Sequence, residues 1–177
     1  MNILLLGATG SIGDSVLSVI KENHSELNLF GITFHKNINK SQEIIKDFKP
    51  EFAYVEDRST FEDQKDTSDI TFLNGDSSLK ELIEHDDVDV IISAISGFAG
   101  LKATYLAAST GKKILLANKE SIVAGGDLIT ARAKKFNSKI IPIDSEHNAI
   151  FQCLSGERSP DDVQKIIITA SGGPFLG

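Results

Sequence analysis

The sequence predicts an α/β fold, a doubly wound and mostly parallel sheet in which short buried strands alternate with amphipathic helices. Three observations carry this. The apolar run Ile3-Leu4-Leu5-Leu6 breaks at Gly7, and Gly10 and Gly13 follow at intervals of three before a helical pattern begins. Runs of strand length then alternate with runs of helical spacing along most of the chain. Glycine and polar residues gather just beyond several of the strand runs, where sheets of this kind bind ligands.

The opening segment reads as strand, phosphate turn and helix. Gly7 suits the positive φ of a tight turn, Gly10 lets the backbone approach a pyrophosphate, and Gly13 lets the helix lie close to the strand. Ile12, Val16, Val19 and Ile20 are expected on the buried face of that helix. The ligand this implies is a dinucleotide. The second strand pattern, residues 27–33, leads to Phe34-His35-Lys36-Asn37. In a dinucleotide fold a carboxylate about 20 residues past the glycines holds the ribose 2′-OH, whereas a cation accommodates a 2′-phosphate. Lys36 follows with no carboxylate between it and Leu27, so the cofactor is read as NADP rather than NAD.

Residues 39–48 have helical spacing and stop before Pro50, and Phe52-Ala53-Tyr54-Val55 reads as a third strand. Residues 56–69 are crowded with charge and read as a solvated outer helix or loop without function. Residues 70–73 suit a short strand, and Asp76 can cap a helix carrying Leu79, Leu82 and Ile83. Residues 88–92 open the second half as a buried strand. Gly97 and Gly100, beyond its carboxyl end, are expected to border the cofactor, and a helix through Leu101, Tyr105 and Leu106 follows.

The strand at 113–117 ends in Asn118-Lys119-Glu120-Ser121, a chemically capable cluster at a strand's carboxyl end. A helix over 126–136 leads to a strand at 139–143 and then to Asp144-Ser145-Glu146-His147. In an extended chain residues two apart point the same way, so Asp144 and Glu146 aim two hard oxygen ligands at one place, which suits Mg²⁺ or Mn²⁺. A capped helix start explains the same residues without a metal. A last apolar strand is expected at 166–168, followed by Thr169-Ala170-Ser171-Gly172-Gly173-Pro174-Phe175, whose serine and glycine amides can hold an anion.

Composition bounds the function. The 177 residues are 41% apolar and 24% charged, as in one globular domain or one domain and the start of another. A net charge of −7 argues against nucleic-acid binding through a basic field. Cys153 is the single cysteine, so no intrachain disulfide can form, and a cytoplasmic location is expected. A first strand starting at Asn2 is expected to leave no room for a leader. The longest apolar stretch, residues 90–101, is too short and too rich in glycine and serine to span a membrane, so no membrane partner is expected.

Residues 7–13, Leu116-Ala117-Asn118-Lys119-Glu120-Ser121, residues 141–149 and residues 169–175 together resemble the 1-deoxy-D-xylulose-5-phosphate reductoisomerases, in that family's order and across nearly the whole chain. The resemblance implies a Rossmann-like NADPH-binding domain over 1–143. The start of an α+β catalytic domain would follow over 144–177, apparently truncated. It implies that Thr9, Gly10, Ser11 and Ile12 line the pyrophosphate turn, and that His35, where the family often has glycine, adjoins Lys36 and Asn37 at the 2′-phosphate. Asn118 and Glu120 would lie along the cofactor. Lys119, Ser145, Glu146 and Ser171 would form the catalytic set, with Ser171 on the substrate phosphate and Asp144 and Glu146 as metal ligands. The implied reaction rearranges a ketose phosphate to a branched aldehyde, which NADPH reduces to 2-C-methyl-D-erythritol 4-phosphate for isoprenoid synthesis. The implied assembly is a homodimer at full length. Two other readings compete. A semialdehyde-type NADP-dependent reductase would need a cysteine at a catalytic turn, whereas Cys153 lies in a helical run. A non-catalytic NADP-binding module would have no use for the Asp144/Glu146 pair.

Overall fold

The computed structural model describes residues 1–64, 70–154 and 160–167. Seven parallel strands form one sheet: β1 (Asn2–Leu6), β2 (Asn28–Phe34), β3 (Phe52–Val55), β4 (Thr71–Leu73), β5 (Val90–Ser93), β6 (Lys113–Leu116) and β7 (Lys139–Pro142). Their order is β4-β3-β2-β1-β5-β6-β7. The chain therefore winds outward from β1 in one direction, returns, and winds outward on the other side. The helices α1 (Ser11–Glu22), α2 (Ile38–Phe48), α3 (Arg58–Gln64), α4 (Asp76–Glu84), α5 (Gly100–Ala107), α6 (Lys119–Phe136) and α7 (Ser145–Leu154) connect or follow the strands. The expected Rossmann-like α/β fold is present, and the described sheet is wholly parallel.

Strands covered on both faces must be apolar throughout, and Leu4, Leu5, Leu6, Ile32, Val55, Ile91 and Ile114 are fully buried. One face of the sheet packs on α1 and α2 through Leu5, Leu17, Ile20, Ile32 and Ile44. The other packs on α4, α5 and α6 through Leu4, Leu79, Leu82, Ala103 and Ile129. In α1 the buried face is Gly13, Leu17 and Ile20; Val19 is 52% exposed and Ile12 sits at the rim. The expected face was rotated because Gly13, with no side chain to mark it, is the residue pressed against the sheet.

Several local expectations are corrected. Asp76 does not cap α4: Gly75 holds the N-cap position and the Asp76 carboxylate pairs with Lys102. The helix expected from 126 begins at Lys119, and Gly125 interrupts it with φ −142° and ψ 24°. That kink is why the apolar spacing registers only in its second half. Ile166 and Ile167 form no strand and are exposed, and Ile168 lies outside the described residues.

Gly13 gives a direct test of the close packing. A Cβ there would stand 2.2 Å from the carbonyl oxygen of Ala8. Alanine gains about 1 kcal/mol of helix propensity, but the clash is with backbone, and overpacking of this kind costs roughly 1–3 kcal/mol or more. Gly13→Ala should therefore lower stability, by up to about 2 kcal/mol in urea unfolding. At Gly10 an added Cβ meets only the Gly7 oxygen at 3.5 Å, so Gly10→Ala should bring no clash and cost no more than the roughly 0.5–1 kcal/mol of a poorer N-cap.

Candidate functional site

The turn after β1 is fixed before any ligand arrives. Gly7 takes φ 87°, a left-handed value open to glycine, and a Cβ there would meet the Ala94 backbone at 2.8 Å. Its N–H donates to Thr33 Oγ1 at 2.9 Å, and the Ala8 N–H donates to the Thr33 carbonyl at 2.9 Å. Thr33, near the end of β2, is 3% exposed. Gly10 is the N-cap of α1 and offers no side-chain cap. The first-turn amides and the positive end of the helix dipole are thus left to an anion. Thr9 and Gly10 border the crevice, while Ser11 and Ile12 form the first turn of α1.

The crevice is a cavity of about 540 Å³ over the carboxyl ends of the central strands, where the winding reverses between β1 and β5. Gly7, Thr9 and Gly10 form one wall, Thr33, Phe34 and His35 a second, and Ala94, Ile95 and Ser96 a third. The rest of its lining is Tyr54 and Glu56 from β3 and its end, Leu79 from α4, and Ala99, Lys102 and Ala103 at the start of α5. His35, Lys36 and Asn37 follow β2, all exposed. Asn37 caps α2, its Oδ1 accepting the Lys40 N–H at 3.3 Å. Asp57 lies nearby. Its carboxyl sits below the usual carboxylate range, chiefly because it accepts the Thr60 N–H at 2.9 Å, then through the Thr60 hydroxyl, with help from the charges of His35 and Lys36.

Asn118 is 3% exposed and committed to the protein. Its Nδ2 donates to the carbonyls of Ile95 and, at 2.8 Å, Gly97, while its Oδ1 accepts the Ser121 N–H at 2.7 Å as the N-cap of α6. One side chain therefore ties the loop after β5 to the helix after β6. Behind it, Ser93, Thr104 and Ser121 are fully buried: the Ser93 and Thr104 hydroxyls lie 2.8 Å apart, and Thr104 Oγ1 donates to the Gly100 carbonyl at 2.8 Å. Lys119 and Glu120, beside this cap, are exposed on the first turn of α6.

At the end of β7, Asp144 precedes α7, and Ser145 and Glu146 lie inside its first turn. The segment is therefore not extended, and the alternation argument for Asp144 and Glu146 does not hold. Asp144 Oδ2 accepts the His147 N–H at 3.2 Å and lies 2.7 Å from His147 Nδ1. Burial alone would raise the Asp144 carboxyl, but the His147 ring and backbone hydrogen bonds outweigh it and hold the group below the carboxylate range. The Glu146 carboxyl is lowered by its own N–H, by the Ser145 hydroxyl at 3.1 Å and by Lys119, whose ammonium lies 3.8 Å away. Both carboxylates are thus ionised and hard, the right kind of donor for Mg²⁺ or Mn²⁺. The number falls short: among the described residues no group of three or more His, Cys, Asp or Glu could hold a metal. Ser171 lies outside the described residues.

A family model of 1-deoxy-D-xylulose 5-phosphate reductoisomerase matches residues 3–126, and one of that enzyme's C-terminal domain matches residues 140–177. The chain belongs to the 1-deoxy-D-xylulose 5-phosphate reductoisomerase family. A relative of that name from Francisella tularensis subsp. novicida is 48% identical over 98% of this chain and 46% of its own length. The chain thus spans about half the length of the curated reductoisomerases it matches. A reductoisomerase structure from Zymomonas mobilis in complex with NADPH superposes with a TM-score of 0.87 at 37% identity, over 98% of this chain and 46% of that one. A second, in complex with NADPH, fosmidomycin and magnesium, gives 0.82 at 42% identity, over 87% of this chain and 39% of that one.

Sequence reasoning passed over Tyr54, Glu56 and Lys102 as crevice residues. Glu56 was legible, since it stands directly beyond a strand's carboxyl end, as the chosen residues did. Lys102 was not, because its place depends on the phase of α5. Asn118→Ala should remove the helix cap and take the side-chain donor from the Ile95 carbonyl, while the Gly97 carbonyl keeps the Gly100 N–H at 3.3 Å, lowering stability by about 1–3 kcal/mol in denaturant unfolding. Asn118→Asp keeps the acceptor for Ser121 but not the donors, so it should fall between parent and alanine variant.

Proposed function

We propose that this chain is the NADPH-binding portion, and the start of the catalytic portion, of a reductoisomerase. That enzyme converts 1-deoxy-D-xylulose 5-phosphate to 2-C-methyl-D-erythritol 4-phosphate in non-mevalonate isoprenoid synthesis, as a homodimer in the cytoplasm. The observation that carries the reading is the empty-capped N-terminus of α1 opening on the crevice at the β1/β5 reversal. The pyrophosphate would rest on Thr9, Gly10, Ser11 and Ile12. His35, Lys36 and Asn37 would meet the 2′-phosphate. Asn118 would hold the loop of residues 95–97 in place, with Glu120 along the cofactor.

The domain boundary is placed between 143 and 144. In support, α7 buries none of its residues, whereas the preceding long helices each bury several. Asn148 Nδ2 nevertheless anchors α7 to β7 through the Pro142 carbonyl at 2.7 Å. Asp144 and Glu146 would hold Mg²⁺ or Mn²⁺, which when bound acts as a Lewis acid toward substrate oxygens. Lys119, beside Glu146, would place a cation against the same oxygens, Ser145 would orient substrate, and Ser171 would take its phosphate. With further ligands and phosphate contacts required, the 177-residue chain alone would bind cofactor without turnover.

Lys36 is the sharpest test of cofactor choice. NADPH should bind at least about tenfold more tightly than NADH, since one charge-assisted contact supplies that factor. Lys36→Asp should invert the preference in a fluorescence titration; equal affinities in the parent would refute the reading. For the chemistry, the chain is mixed with NADPH, Mn²⁺ and 1-deoxy-D-xylulose 5-phosphate while absorbance of the reduced nicotinamide is followed. A flat trace is expected from this chain, and steady oxidation from the longer protein carrying it. Asp144→Asn in that protein should weaken metal binding and collapse oxidation while leaving NADPH affinity nearly intact.

A further inference from the structure

We infer that Glu56, braced by Tyr54, reads the 6-amino group of the cofactor's adenine. This rests on the NADPH reading above and adds to it a base-specificity determinant. If the pyrophosphate occupies the turn at Gly10 and the 2′-phosphate lies at residues 35–37, the adenosine base is directed into the remaining part of the crevice. That part is formed by the end of β3 and the faces of α4 and α5. Its walls there are apolar, with Leu79, Ile95 and Ala103 suited to the flat faces of a purine.

Its polar groups are few and differ in kind. Tyr54 is 3% exposed, and its hydroxyl donates to Glu56 Oε2 at 2.9 Å. Burial first, then the Glu56 hydrogen bond and charge and the charge of Asp76, push the Tyr54 hydroxyl well above its ordinary range, so it remains a donor. The backbone of Glu56 is fixed as well, its N–H donating to the Phe34 carbonyl at 3.0 Å and its carbonyl accepting from Asn74 Nδ2 at 3.2 Å. Glu56 itself lines the crevice at its exposed rim, and with one oxygen taken by Tyr54 the other is left to accept from a ligand. The remaining charges there, Asp76 and Lys102, pair with each other, so Lys102 offsets the second negative charge rather than competing for Glu56. An oriented acceptor beside an apolar slot fits the exocyclic amine of adenine. It rejects the carbonyl that hypoxanthine carries in that place, because two acceptors would then face each other unpaired.

The test compares NADPH with nicotinamide hypoxanthine dinucleotide phosphate, reduced form, by fluorescence titration of the intact protein. The parent should bind NADPH about tenfold more tightly than the hypoxanthine analogue. Glu56→Gln, whose amide can donate, should bring the two affinities together by weakening NADPH and strengthening the analogue. Tyr54→Phe should reduce the discrimination in part, with thermal melting confirming that both variants are folded. Equal parent affinities, or discrimination unchanged in Glu56→Gln, would overturn the inference while leaving NADPH binding in place. Failure of the parent to bind NADPH at all would instead overturn the cofactor reading.

Discussion

The rest of the structure depends on the reversal of winding about β1. Because β2, β3 and β4 lie on one side and β5, β6 and β7 on the other, the loops after β1 and β5 leave toward opposite faces and part over the sheet. Among the described residues, the groups assigned to cofactor and metal lie at a strand's carboxyl end or on the helix beyond it. The glycine turn follows β1, the His35-Lys36-Asn37 turn β2, Glu56 β3, Ile95 and Ser96 β5, the Asn118 cap β6, and Asp144 β7. A parallel sheet places all these ends on one edge, so residues distant in sequence meet without any contact of their own drawing them together. Thr33 and Asn118 then set the crevice walls, one joining the turn after β1 to β2 and the other joining the loop after β5 to α6.

The second constraint is electrostatic. A chain of net charge −7 that receives an anionic cofactor must keep its carboxylates from repelling it. Of those near the crevice, two are paired with lysines and two are held by neutral donors that orient them without removing their charge. Asp14, in the first turn of α1, pairs with Lys40 of α2 at 2.7 Å; Asp76 pairs with Lys102; Asp57 accepts from Thr60; Glu56 accepts from Tyr54. Exposed pairs of this kind add at most about 1 kcal/mol to stability. The two ion pairs act more on local potential, because Lys40 and Lys102 offset the charges of Asp14 and Asp76 near the anion-binding end of α1 and the crevice. At the other end of the sheet's edge Asp144 and Glu146 are also partnered, by His147 and Lys119, yet both are biased toward the ionised form. Carboxylates kept charged near neutral pH are ready for a divalent cation, and the shortfall there is in ligand number.

Much of this was legible in the sequence, because strand–turn–helix periodicity is local. The glycine spacing at 7, 10 and 13 and the buried strands came from patterns a few residues long. The readings that failed depended on helix phase or on partners far along the chain. The buried face of α1 was misplaced because its central contact is a glycine. The first half of α6 was missed because a kink at Gly125 breaks its period, which left Asn118 through Ser121 looking like a polar strand end instead of a capped first turn. Asp144 and Glu146 were found through an argument from extended geometry that the helix start replaces. Lys102 had no local signal, since its place in the crevice comes from the packing of α5 on the sheet, and Tyr54 read only as one residue of the strand β3.

The central claim is that the crevice over β1 and β5 holds NADPH, and amide hydrogen exchange with and without the cofactor tests it most directly. The account predicts slowed exchange in residues 8–13, 35–38 and 94–97, with smaller changes around Glu56 and little in β7 or the body of α7. Binding that left residues 8–13 and 94–97 unchanged, or protection confined to residues 139–154, would contradict it.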